Sequence, residues 1–192
     1  SVNAVGDDGK TALDLAEEES QDEAAAFLRD EMGALRAADL LTEAQKQELL
    51  GRACVKGNLV DVKRALKAGA DVNEAAFKAN GSLGGTYTAI HLACRWGRPE
   101  SVRVLLEHGA DPNRATSAEG WTPCMLAALN GHIDCMDALC GGGPTCRFTS
   151  INAVGTGGLA KNSTALDLAD WGGKNEAYRY LRERGGKRSA EF

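Results

Sequence analysis

Three groups of residues have the types that chemistry requires, and their spacing decides each case. His132, Cys135, Cys140 and Cys146 form the run H-x2-C-x4-C-x5-C, nitrogen and thiolate donors of the kind that hold zinc. A strong zinc signal pairs its cysteines in C-x2-C knuckles, and this run has none, so no metal is expected. Gly155-Thr156-Gly157-Gly158-Leu159-Ala160-Lys161-Asn162-Ser163 has the glycines and lysine of a phosphate loop. It lacks the G-x-x-x-x-G-K-[ST] order and a preceding strand. The acidic run Glu17-Glu18-Glu19 with Asp22 and Glu23 reads as a solvated helix end. No catalytic residue, cofactor or metal is therefore predicted.

The elements around these residues repeat. Thr11-Ala12-Leu13-Asp14-Leu15-Ala16 returns as Thr164-Ala165-Leu166-Asp167-Leu168-Ala169, and Thr88 and Thr122 open comparable stretches. With Glu48 standing in for Thr in the second unit, the anchors are Thr11, Glu48, Thr88, Thr122 and Thr164, at steps of 37, 40, 34 and 42 residues. Each Thr can cap a first helix through its hydroxyl, and Pro123 sits where the first helical turn tolerates proline. Gly57, Gly97 and Gly131 turn the chain into a second helix, whose apolar stripe is exemplified by Leu105-Leu106. Gly109 and its counterparts stop that helix. One such unit cannot bury its own apolar face, so stacking is obligatory.

Composition agrees. The chain has 192 residues, 43% hydrophobic but only 5% aromatic, which suits thin layers of close-packed helices. The net charge is −5 and no basic stripe runs along the chain, which disfavours nucleic acid. No apolar run approaches the ~20 residues of a membrane span. Of six cysteines, Cys54 and Cys94 sit beside Ala53 and Ala93 at small core positions of predicted helices, where a thiol behaves as a small hydrophobe. Thiols, and hence a reducing, intracellular and cytoplasmic setting, are expected rather than a disulfide framework.

The stretch Thr88-Ala89-Ile90-His91-Leu92-Ala93-Cys94, followed by Val102 to Leu106 and Gly109-Ala110-Asp111-Pro112-Asn113, resembles the ankyrin repeat: T-P-L-H-x-A-A, then V-x-x-L-L-x-x-G-A-D-x-N. The resemblance implies an all-α solenoid of stacked helix-turn-helix units with finger loops. It also implies that His91 makes structural hydrogen bonds between loops, that His132 belongs to a Gly-His turn, and that Trp121 has a mainly structural role in its finger. The implied function is non-catalytic protein–protein interaction, as a scaffold or adaptor. The alternatives are a regulatory segment of a larger enzyme or channel, and a structural subunit of a large multiprotein assembly.

A second periodicity suggests duplication. Ser1-Val2-Asn3-Ala4-Val5-Gly6 matches Ser150-Ile151-Asn152-Ala153-Val154-Gly155. Residues 1–40 accordingly read as the terminal repeat of an upstream ankyrin module. Residues 41–192 read as a module with a capping helix, begun by the capping-box pattern Thr42-Glu43-Ala44-Gln45, and about four repeats. The chain thus reads as the ordered part of something longer.

In the family, partners sit on the fingers and the exposed face of the first helices. Asn73 to Thr88 spans 15 residues against 9 for Asn113 to Thr122, and long loops on one face often carry recognition. This finger brings Phe77, Lys78, Asn80 and Tyr87, with both rings expected to be exposed. Arg95 and Trp96, late in one first helix, and Trp171, late in another, are expected to border the concave groove. Asn130 completes the expected contact set.

Overall fold

The computed structural model describes residues 4–30, 41–75, 77–78, 86–141 and 149–192. Among the described residues five helix pairs follow one another: α1 (Ala12–Glu18) with α2 (Asp22–Asp30), α3 (Glu43–Lys56) with α4 (Leu59–Lys67), and α5 (Ala89–Arg95) with α6 (Pro99–Glu107). The last two are α7 (Pro123–Asn130) with α8 (Ile133–Cys140), and α9 (Ala165–Trp171) with α10 (Asn175–Glu183). The first helices pack in series, α3 on α5, α5 on α7 and α7 on α9, and the second helices form a parallel row from α4 to α10. The fold is the expected all-α stack.

The caps explain where helices start. The backbone N–H groups of Asp14, Gln45, Met125 and Asp167 donate to the hydroxyls of Thr11, Thr42, Thr122 and Thr164. Asp14, Gln45 and Asp167 return the bond by accepting from the N–H of the capping Thr, which satisfies two orphan donors at once. As the capping-box pattern at Thr42 implies, α3 begins at Glu43 and runs as one helix through Glu48 into the second unit. The turns between paired helices use left-handed backbone, with φ of 76° at Gly57 and 77° at Gly131, values that a Cβ penalises.

Small side chains let the first helices approach. Ala53, Cys54, Ala93, Cys94, Cys124, Ala127, Ala128, Ala165 and Ala169 are all buried in one continuous core with Leu50, Ile90, Leu105, Met136, Leu166 and Leu181. Leu106, expected to share that burial, is only partly buried against the core. Leu13, Ala16 and Ala25 of the first pair form a separate small cluster.

Asparagines tie successive fingers. Asn73 Nδ2 donates to the Gly109 carbonyl at 2.9 Å and its Oδ1 accepts from the Asp111 N–H at 2.9 Å. Asn152 repeats the pattern with Gly185 and Lys187 at 3.2 and 2.7 Å.

The glycine-rich stretch after Asn152 is a docking loop. The N–H groups of Thr156 and Gly157 donate to the Glu119 carbonyl at 2.9 and 3.2 Å. A Cβ at Gly158, where φ is +50°, would lie 2.3 Å from the Glu119 carboxyl group. These glycines allow two fingers to touch.

Candidate partner-binding surface

The described residues of the lengthened finger include a short antiparallel strand pair, termed the hairpin. Strands β1 (Phe77–Lys78) and β2 (Thr86–Tyr87) pair antiparallel, with Phe77 opposite Tyr87. Tyr87 is 0% exposed; its ring meets His91 edge to face at 5.8 Å, and burial pushes its hydroxyl pKa up. The expectation of an exposed Tyr87 ring is therefore corrected: the strand turns it inward onto the helix that follows. Phe77 is half-buried, with its ring lying over Gly51 of α3, where a Cβ would come within 2.1 Å of the ring. Lys78 lies in β1, and Asn80 lies outside the described residues.

The two late first-helix tryptophans are open to solvent. Trp96, the C-cap of α5, is 49% exposed, and Trp171, the last residue of α9, is 65% exposed. Asn130 ends α7 and is also exposed, its Nδ2 donating to the Leu126 carbonyl at 2.8 Å. Arg95 is partly exposed beside Trp96. Counted from the capping threonines, these four positions fall at the same one or two places along successive first helices, so stacking sets them in a row.

A groove missed by the sequence reading lies between α3 and α5. Glu48, Gly51, Arg52, Val55 and Lys56 of α3, Phe77 of the hairpin and Leu92 of α5 line a cleft of about 510 Å3. The signal was present: residues 52, 55 and 56 of α3 and 92, 95 and 96 of α5 share the i, i+3, i+4 spacing that puts side chains on one helix face. Arg98 fixes the two units together, its Nε donating to the Val55 carbonyl at 3.0 Å.

The groups of chemical interest face inward or are occupied. His91 accepts at Nδ1 from the Thr88 N–H at 3.3 Å, and its Nε2 lies 3.1 Å from the Trp121 carbonyl. The first contact needs an acceptor and the second a donor, so the ring is the neutral Nε2–H tautomer. Burial lowers its pKa to about 4. Trp121 is fully buried and its Nε1–H donates to Glu119 at 2.7 Å. Cys54, Cys94, Cys124, Cys135 and Cys140 are buried and outside any disulfide. Burial pushes the Cys54 and Cys135 thiols to about 12 and the Cys94 thiol well above its ordinary value. Cys146, of the run considered for zinc, lies outside the described residues. Among the described residues no group of three His, Cys, Asp or Glu side chains is placed to hold a metal, and no helix is long and apolar enough to cross a membrane.

A capped helix pair, a left-handed glycine turn and a finger, repeated so that first helices form one face, define a helical-repeat solenoid. Residues 90–139 match the family described as ankyrin repeats in many copies. The chain is 37% identical to mouse Rabankyrin-5 over 45% of its length, and 35% identical to Neurospora crassa ankyrin repeat protein nuc-2 over 47%. It is also 32% identical, over 61% of its length, to the glycerophosphocholine phosphodiesterase gde1 of Schizosaccharomyces pombe. These matches support ankyrin repeats in this chain, and such repeats are protein–protein interaction modules. It spans between 8 and 10% of the length of these three relatives.

Proposed function

We propose that this chain is a non-catalytic scaffold or adaptor that holds a partner protein across the ends of its first helices and the Phe77 hairpin. The observation that carries this reading is the exposure of Trp96 and Trp171 at the C-terminal ends of two first helices, on a scaffold whose other tryptophan is buried. Tryptophan and arginine are the side chains that most often dominate interface energies. The chemistry of the interior supports a non-catalytic role: His91 has both ring nitrogens engaged, and a thiol whose pKa is raised is not the thiolate a nucleophile needs. Buried thiols also support a reducing compartment.

A second reading, in which the chain regulates a larger enzyme, draws support from gde1, a phosphodiesterase of which the matched segment is about a tenth. The repeat stack itself would then still act by binding.

The test is hydrogen–deuterium exchange on the chain with and without a partner captured from extract. Protection at the C-terminal ends of α5, α7 and α9 and at the hairpin is expected. Protection confined to α4, α6 and α8 contradicts the reading.

A further inference from the structure

The groove between α3 and α5 differs in charge from the chain that carries it. The whole chain has a net charge of −5. The groove lining carries two cations, Arg52 and Lys56, and one carboxylate, Glu48. That carboxylate is already spent: Glu48 accepts an ion pair from Arg52 at 2.7 Å, with both side chains well exposed. Exposed pairs of this kind hold weakly, so Arg52 can exchange Glu48 for an incoming carboxylate at little cost. The acidic run Glu17–Glu19 lies at the end and C-cap of α1, which contributes no residue to this groove.

Between the cations the floor is apolar. Val55 of α3, Leu92 of α5 and the Phe77 ring form it, and Gly51 is what lets the ring lie against the helix, since any Cβ there would meet the ring at 2.1 Å. The volume of about 510 Å3 falls in the range of sites that enclose small ligands or a few side chains. Trp96, four residues beyond Leu92 on the same helix face, extends the apolar surface past the cationic rim.

Resting on the interaction-module reading, we infer that this groove takes an acidic peptide segment: a bulky aliphatic or aromatic side chain seated over Val55, Leu92 and Phe77, flanked by carboxylates that pair with Arg52 and Lys56. An apolar anchor in a desolvated pocket supplies affinity. Opposite charge at the rim speeds encounter and rejects basic sequences.

The experiment selects random linear peptides, displayed on phage, on the immobilised chain. The enriched sequences are then synthesised with a fluorophore and titrated by anisotropy. The expected result is a set of net-negative peptides that share a bulky apolar residue. Their affinity falls tenfold or more (about 1.4 kcal/mol by the affinity relation) in Arg52→Glu/Lys56→Glu, falls similarly in Phe77→Ala, and is unchanged in Arg103→Ala on α6. Each variant is checked for native helicity and melting, and Lys56→Glu alone replaces the double variant if that one fails to fold. Raised salt weakens binding. Enrichment of neutral or basic peptides, or of acidic ones indifferent to the groove variants, overturns the acidic-peptide inference and leaves the module reading standing. No enrichment above the bare surface overturns both.

Discussion

His91 and Trp121 are joined across a repeat boundary: the Nε2–H of His91 on α5 donates to the backbone carbonyl of Trp121, 3.1 Å away in the next finger. Thr88 holds the other face of the ring through Nδ1, and Tyr87 packs edge-on against it. Cap, helix, hairpin and following finger thus converge on one neutral imidazole.

This convergence makes stability depend on pH. The folded pKa of about 4 lies below the ordinary value of 6.5, so between these values the unfolded chain binds a proton that the folded chain refuses. The contribution of His91 is complete above about 6.5, falls by up to about 1.4 kcal/mol per pH unit as pH drops toward 4, and is gone below that. Denaturant titrations at stepped pH are expected to show this slope, with His91→Gln flattening it. A wild-type curve already flat from pH 6.5 to 4 contradicts the assignment.

Core truncation separates the two leucines of α6. Leu105 is fully buried, so Leu105→Ala should cost about 2–5 kcal/mol. Leu106→Ala should cost distinctly less, because its side chain is only partly buried, and Lys161→Ala, on an exposed side chain, should stay within about 0.5 kcal/mol. Chemical denaturation of the three variants ranks them directly.

Much of this was legible from the chain. Thr11, Thr122 and Thr164 announce their helices because a hydroxyl cap is a local event, and Gly57 and Gly131 announce their turns because a left-handed residue is too. Tyr87 and Phe77 were misread because their fates depend on partners distant in sequence. Loop length shows that a finger is long, not that it pairs with itself and turns one ring onto His91 and the other onto Gly51. The trace that pointed there was Gly51 itself, a glycine inside a helix, where it costs about 1 kcal/mol relative to alanine and so signals a packing reason.

Gly51→Ala tests that reason. The change favours the helix by about 1 kcal/mol but places a methyl at a position already held by the Phe77 ring. Helicity should be kept while nuclear Overhauser contacts between the Phe77 ring and Gly51 Hα give way to a displaced ring. Retention of the ring over α3 in the variant contradicts the packing account.

The thiols should be silent in the folded state. Cys54, Cys94, Cys124, Cys135 and Cys140 are buried, and attack requires an accessible thiolate. Titration with a disulfide reagent in native buffer should leave these five unreacted on the timescale on which denaturant exposes all of them. Rapid native labelling of Cys54 or Cys94, located by peptide mapping, contradicts their burial.

The central claim is that partners are held on the first-helix ends and hairpin, and one comparison of affinities tests it most directly. With a partner captured from extract and purified, binding is measured for Trp96→Ala, Phe77→Ala and Arg103→Ala, each confirmed folded by its melting curve. Arg103 is exposed on α6 beside Glu100, on the opposite row of helices. The account predicts losses of ~2 kcal/mol or more for Trp96→Ala, a measurable loss for Phe77→Ala, and a change within about 0.5 kcal/mol for Arg103→Ala. Full affinity in both aromatic variants, with weakened binding in Arg103→Ala, would place the partner on the other side of the solenoid.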